Sequence, residues 1–135
     1  MHDLKVVQEI IDVFKKHGHN EIDTARVYCG GTSEEYLGKV DWKKQGLVMD
    51  TKLYPHAGGT FGQPITHSPE DIRKHLEASL KALNADSMDM FYLHGPDRKT
   101  DYAITLKAVN DLYKEGKFKR FGISNYYSVS PSSVQ

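Results

Sequence analysis

Glu21-Ile22-Asp23-Thr24-Ala25-Arg26-Val27-Tyr28 is the stretch on which the reading of this chain turns. The short apolar run at 22–25 predicts a strand that ends in a polar turn. The turn brings a carboxylate, Asp23, and a phenol, Tyr28, close together in sequence. Three later predicted strands also end in reactive groups: Lys52, His94 and the pair Ser124-Asn125. Parallel α/β folds build their sites at the carboxyl ends of the strands, from the loops that follow them. Four such strand ends predict one shared site.

Working backwards from this stretch, Leu4, Val7, Ile10, Ile11 and Phe14 form an apolar stripe that predicts a helix over 3–17. Lys15, Lys16 and His17 suit the negative end of its dipole, and Gly18 is its stop. Working forwards, Gly30-Gly31 breaks the chain and Ser33 is the expected cap of a short helix ending near Gly38. After Gln45-Gly46, the run at 47–52 predicts the next strand. The loop at 54–67 is long and rich in Gly and Pro, which predicts a functional loop.

Ser68-Pro69-Glu70-Asp71 is a helix start: a capping hydroxyl, Pro at the first position, and acids at the positive end of the dipole. Ile72, Leu76, Leu80 and Leu83 mark its buried face. Residues 88–93 form a near-continuous apolar strand, as a parallel sheet covered by helices requires. His94-Gly95-Pro96-Asp97 ends it. The next helix carries Ile104, Leu106, Val109, Leu112 and Tyr113 and closes at Gly116; the last strand covers 118–124. Residues 126–135 read as a loose, Ser-rich tail. Strands alternating with helices predict an α/β fold with a parallel sheet and right-handed crossovers, in a single domain over 1–135.

Composition narrows the function classes. Of 135 residues, 39% are hydrophobic and 27% charged, ordinary for a globular domain. Lys+Arg and Asp+Glu both number 18, so no charge excess predicts nucleic acid or an anionic membrane surface as partner. No apolar run approaches the ~20 residues of a membrane-spanning helix. Residues 1–16 show no cleavage pattern, so no signal peptide is expected, and the single Cys29 suits a reducing compartment. A cytoplasmic location is the expectation. His2, His17, His19, His56, His67 and His75 lack metal-ligand spacing, so no metal is expected. Trp42 reads as a partly exposed helix-end aromatic, Cys29 as a small packing residue, and Lys114-Glu115 as a solvated helix end.

A tyrosine phenol, with a reference pKa of ~10, holds its proton at neutral pH. A neighbouring cation stabilises the phenolate. Lys52 is the candidate cation, Asp23 the group that keeps it charged and oriented, and His94 the residue that positions a carbonyl oxygen. Together they make a proton donor aimed at a carbonyl. Each residue alone also has a plain structural reading, as salt bridge, loop aromatic or core histidine.

The chain resembles the aldo-keto reductase family, and within it the aflatoxin-aldehyde reductase branch. The resemblance rests on Glu21-Ile22-Asp23-Thr24-Ala25 with Tyr28, Gly30-Gly31, Ser33-Glu34-Glu35-Tyr36-Leu37-Gly38 and Thr51-Lys52. It continues in Leu93-His94-Gly95-Pro96-Asp97, Glu115-Gly116-Lys117-Phe118 and Gly122-Ile123-Ser124-Asn125-Tyr126. It implies a catalytic tetrad of Asp23, Tyr28, Lys52 and His94, with Tyr28 the acid. It implies that Ser124 and Asn125, together with Asp23, meet the nicotinamide part of NADPH. The implied fold is a partial (β/α)8 barrel, since such a barrel needs ~250 residues.

By the same resemblance, the first barrel strand and the last three lie outside this chain, and with them most of the contacts to the cofactor's phosphates. NADPH binding by the chain alone is then expected to be weak or absent. The glycines at 58–62 lack a Gly-x-Gly-x-x-Gly or Walker pattern, so that loop is expected to cover substrate rather than hold phosphate. A partial barrel is expected to expose two strand edges and an apolar inner face, to be covered by a second copy of the chain, by a different partner or by rearrangement into an open sheet; a homodimer is the favoured expectation. Three functions compete: an NADPH-dependent reductase of aldehydes or ketones; a cofactor-independent isomerase, dehydratase or cyclase using the same groups; and a non-catalytic subunit.

Overall fold

The computed structural model describes residues 3–58 and 62–127. Its elements are α1 (Leu4–Lys16), β1 (Glu21–Asp23), a 3-10 turn (Tyr28–Gly31), α2 (Thr32–Lys39), β2 (Val48–Leu53), α3 (Pro69–Ala82), β3 (Met88–Leu93), α4 (Tyr102–Lys114) and β4 (Phe118–Ile123). The four strands form one parallel sheet in the order β1-β2-β3-β4. Strands laid down in sequential order with crossovers of one hand place every helix on the same side. That is a segment of a (β/α) barrel rather than a doubly wound sheet.

The helix starts follow the local chemistry. Asp3 accepts the Lys5 N–H at 2.8 Å, Ser68 the Asp71 N–H at 3.2 Å, and Asp101 the Ala103 N–H at 2.7 Å. Gly18 (φ 83°) and Gly116 (φ 75°) follow the ends of α1 and α4, where the left-handed backbone excludes most side chains.

The core lies between the sheet and its helices. Met49, Leu53, Phe91 and Leu93 meet Ile72, Leu76, Leu80, Leu83, Val109 and Leu112. The pairs Thr51↔Phe91 and Leu53↔Leu93 run along this face, and by alternation Asp50↔Met90 and Lys52↔Tyr92 run along the other. That other face carries Glu21, Asp23, Asp50, Lys52, Met90, Tyr92, Arg120 and Gly122. It is mainly polar, which corrects the expectation of an apolar inner face: most of the buried apolar strand residues lie on the helix side.

Other expectations also shift. β1 is Glu21–Asp23 rather than 22–25, because pairing with β2 stops at Asp23↔Asp50 and one further bond, Thr24 N–H to Asp50 O. Beyond it, Thr24 and Ala25 turn inward and are buried. Helix α2 begins at Thr32, one residue before the expected cap Ser33, because the chain enters it through Gly31 at φ 96°. In α4 the buried face is Thr105, Ala108, Val109 and Leu112, while Ile104, Leu106 and Tyr113 are exposed. In α1 only Ile11 is fully buried, and Leu4 and Ile10 face outward.

Trp42 is buried, with its indole N–H donating to Leu83 O at 2.8 Å, so it packs inside rather than at a partly exposed end. Cys29 is exposed rather than packed. Glu115 is more than solvated: it takes both Arg73 guanidinium nitrogens, at 2.8 and 2.5 Å, and so ties α4 to α3. Around the tip of the glycine loop, 59–61 lie outside the described residues, as do His2 and 128–135 of the expected tail. The base of that loop is built: His56 and Ile65 exchange two backbone hydrogen bonds. No described helix is long and apolar enough to cross a membrane.

Candidate active site

Lys52 is the centre of the site. Strand β2 points it away from the helices, yet only 7% of its side chain is exposed. An ammonium has three protons to give and is costly to bury unpaired. Here Nζ donates to Asp23 Oδ1 at 2.5 Å, to Thr24 O at 3.0 Å and to Tyr28 Oη at 3.4 Å. It also lies 5.1 Å from the centre of the Tyr28 ring and 5.7 Å from that of Tyr92.

Each partner arrives by a different local device. Asp23 is the last residue of β1. Tyr28 follows a tight turn closed by its own N–H to Ala25 O at 3.0 Å. His94 extends β3, with its N–H bonded to Leu53 O at 2.8 Å, which sets it beside the end of β2. Its ring meets Tyr28 edge-on at 5.6 Å and Tyr54 edge-on at 5.5 Å. Burial, and secondly the Lys52 ammonium, hold the His94 imidazole below its ordinary titration range, with Asp23 opposing. These effects favour the uncharged imidazole. Its Nδ1 is buried with no hydrogen-bond partner among the described residues.

Ser124 follows β4, its N–H bonded to Leu93 O at 2.9 Å. Asn125 takes the left-handed conformation (φ 60°) and donates its side-chain N–H to His94 O at 2.7 Å and to Ser124 Oγ at 3.1 Å. The structure thus gathers Asp23, Tyr28, Lys52 and His94 around one ammonium and one imidazole, with Ser124 and Asn125 on the same rim.

Sequence reasoning passed over Tyr54 and Tyr92. Tyr92 was recoverable: it lies two residues before His94 and pairs with Lys52, so strand alternation puts it on the site's face. It also passed over a charged cluster at the opposite end of the strands. The carboxylates of Glu21, Asp50 and Asp89 lie within 4.8 Å of one another, and the Arg120 guanidinium binds both Glu21 and Asp89. Burial and the neighbouring Glu21 push the Asp50 carboxyl up to about 6. The cluster is an internal charge network of the sheet's polar face.

Fold and site define a class: a (β/α) barrel segment with a Lys-centred group at the carboxyl ends of its strands. The profile of the "Aldo/keto reductase family" matches residues 3–133, and the chain belongs to that family. It is 47% identical to an aldo-keto reductase of Pseudocercospora fijiensis, over 87% of this chain and 39% of that protein. It is 40% identical to the mouse aflatoxin B1 aldehyde reductase member 2, over 92% of this chain and 33% of the relative. A crystal structure of a Klebsiella pneumoniae aldo-keto reductase in complex with NADPH superposes with a TM-score of 0.67 at 31% identity, covering 84% of this chain and 37% of that one. The chain therefore spans well under half the length of the proteins it matches.

Proposed function

We propose that this chain carries the proton-delivery part of an NADPH-dependent reductase of aldehydes or ketones. The observation that supports this reading is the buried Lys52 ammonium shared by the Asp23 carboxylate and the Tyr28 phenol. Tyr28 gives its proton to the carbonyl oxygen as negative charge develops there. Lys52 stabilises the phenolate left behind. Asp23 keeps Lys52 charged and aimed, and His94 orients the carbonyl oxygen by hydrogen bonding. The nicotinamide, when bound, supplies hydride to the carbonyl carbon.

The rim residues suit the nicotinamide end of that cofactor. A carboxamide offers one acceptor and one donor group. The Ser124 hydroxyl and the Asn125 side-chain oxygen are complementary to it, while the Asn125 N–H groups already bond to His94 O and Ser124 Oγ. The cofactor's phosphates need groups beyond these strands. A second copy of the chain is the proposed source, which makes the working unit a homodimer in the cytoplasm.

Calorimetry with NADPH, run beside a solution mass and an aldehyde-reduction assay, tests the reading. Binding together with Tyr28-dependent NADPH oxidation is the expected outcome; no binding at millimolar NADPH overturns it for this chain. A second reading has its own support, because Tyr28, Lys52 and His94 stand close enough together to protonate or polarise a carbonyl without a hydride donor. It is acid/base catalysis on a carbonyl compound without nicotinamide. Turnover in the absence of NADPH would select it.

A further inference from the structure

Beneath the site lies a second network, in which Glu34 is wholly buried at 0% exposure. A buried carboxylate needs partners, since the desolvation of a lone charge is costly. Among the described residues Glu34 has two, and each comes from an element of the site. Thr51 Oγ1, adjacent in sequence to Lys52, donates to Glu34 Oε1 at 2.5 Å. Arg26, two residues before Tyr28, brings Nη1 within 3.4 Å of Glu34 Oε2.

The same Arg26 Nη1 donates to Gly31 O at 3.0 Å, and Nη2 reaches Glu35 at 3.3 Å. The turn that begins at Tyr28 is thereby wrapped around the guanidinium. Its closeness is measurable: a Cβ placed on Gly31 would stand 2.7 Å from Arg26 Cζ. The backbone through this turn is left-handed at Cys29 (φ 50°), Gly30 (φ 63°) and Gly31 (φ 96°). Cys29 is strained there, since only glycine adopts such angles freely, so something outside the turn must hold it. The Arg26 guanidinium, anchored on Glu34, is the group in place to do so.

We propose that Glu34 is a positioning residue that sets the spacing between Tyr28 and Lys52. It touches neither side chain. It acts by fixing the Tyr28 turn through Arg26 and strand β2 through Thr51, so that phenol and ammonium stay within hydrogen-bond reach. This inference rests on the reading of Tyr28 and Lys52 as a proton donor and its cation. Its geometric part can be measured without turnover.

The test is Glu34→Gln, which keeps the volume and removes the charge. The readout is the nuclear Overhauser contact between the Tyr28 ring protons and the Lys52 ε-methylene, in chain labelled at Tyr and Lys. The expected result is loss of that contact, with the Tyr92–Lys52 contact retained. Leu76→Val, a core substitution away from the network, is expected to lower the melting temperature while leaving the Tyr28–Lys52 contact intact. A Glu34→Gln protein that melts lower but keeps the contact overturns the proposal, because Glu34 would then serve stability alone.

If Glu34→Gln does not fold, Arg26→Lys on the part-exposed guanidinium serves as the second variant, with the same two outcomes. In carbonyl reduction, kcat is expected to fall by about tenfold or more at nearly constant KM, the cost of misplacing a reacting group. Reduction that survives Tyr28→Phe would overturn the catalytic reading, while the contact measurement would still decide the role of Glu34.

Discussion

The burial of Lys52 organises the site because it leaves the ammonium few choices. With water largely excluded, its three protons go to a carboxylate, a carbonyl and a phenol, and the phenol is the group that gives up a proton in the proposed chemistry. Tyr28→Phe removes the proton but keeps the ring, so we predict a kcat for carbonyl reduction lower by roughly 10²–10⁴. Tyr28→Phe also leaves one proton of the buried Lys52 ammonium without its acceptor, so a loss of about 1 kcal/mol is expected in a urea titration. A second residue-scale prediction concerns Gly122. A Cβ there would stand 2.5 Å from Tyr92 Cε1 and 2.8 Å from Met90 Cε, so Gly122→Ala must displace the ring beneath Lys52. We expect a loss of about 1–3 kcal/mol by thermal melting, with shifted Tyr92 ring resonances; an unperturbed Tyr92 spectrum would contradict it.

At the scale of elements, α2 and α3 meet backbone to backbone. A Cβ on Gly38 would fall 2.0 Å from Ala82 O, a contact that no rotamer relieves. Gly38→Ala should therefore cost about 3 kcal/mol or more in denaturant titration, against about 1 kcal/mol for removing the α3 cap by Ser68→Ala. The segment leading into α3 also carries a pH response. His67 is 0% exposed, its ring nitrogens have no partner among the described residues, and burial holds it below the ordinary imidazole range; His75 shifts the same way.

The sign follows from which state takes the proton first. As pH falls through about 6.5, the unfolded chain protonates these imidazoles and the folded chain does not, so stability drops. Asp50, pushed up to about 6, works the other way: below that pH the folded state takes its proton before the unfolded state does. Urea midpoints should decline from pH 7 to pH 5, less steeply in His67→Leu and more steeply in Asp50→Asn. A flat profile in the parent chain would contradict this assignment.

At the scale of the whole molecule, the outer strands of the sheet among the described residues are β1 and β4, with apolar surface beside each. Next to β1, Val7, Ile10, Phe14 and Ile22 line a cleft of about 340 Å³. Next to β4, Ile123 is 57% exposed. Edges of this kind invite pairing, whereas the polar inner face does not. We therefore expect association through edges and helices, with a sedimentation mass of twice 15.3 kDa. A monomeric mass, with NADPH still bound, would remove the need for a second copy.

Much of the fold and of the candidate site is legible in the sequence. Asp23, Tyr28, Lys52, His94 and Ser124-Asn125 are legible because each lies in the last residues of a predicted strand or just beyond it, and strand direction is a local property written in apolar runs and turns. The α3 cap, the α1 and α4 stops and the parallel order were readable for the same reason. What escaped was whatever depends on neighbours distant in the chain. Which face of α4 is buried, the burial of Trp42 against Leu83, the Glu34–Thr51 bond and the charge cluster under Arg120 all arise between elements. Periodicity names the stripe a helix offers, but not the surface that covers it. The sequence by itself therefore determined the order of the elements and the chemical groups at their ends. The tertiary structure alone decided which of those groups share one ammonium, because only packing sets the distances through which charge and hydrogen bonds act.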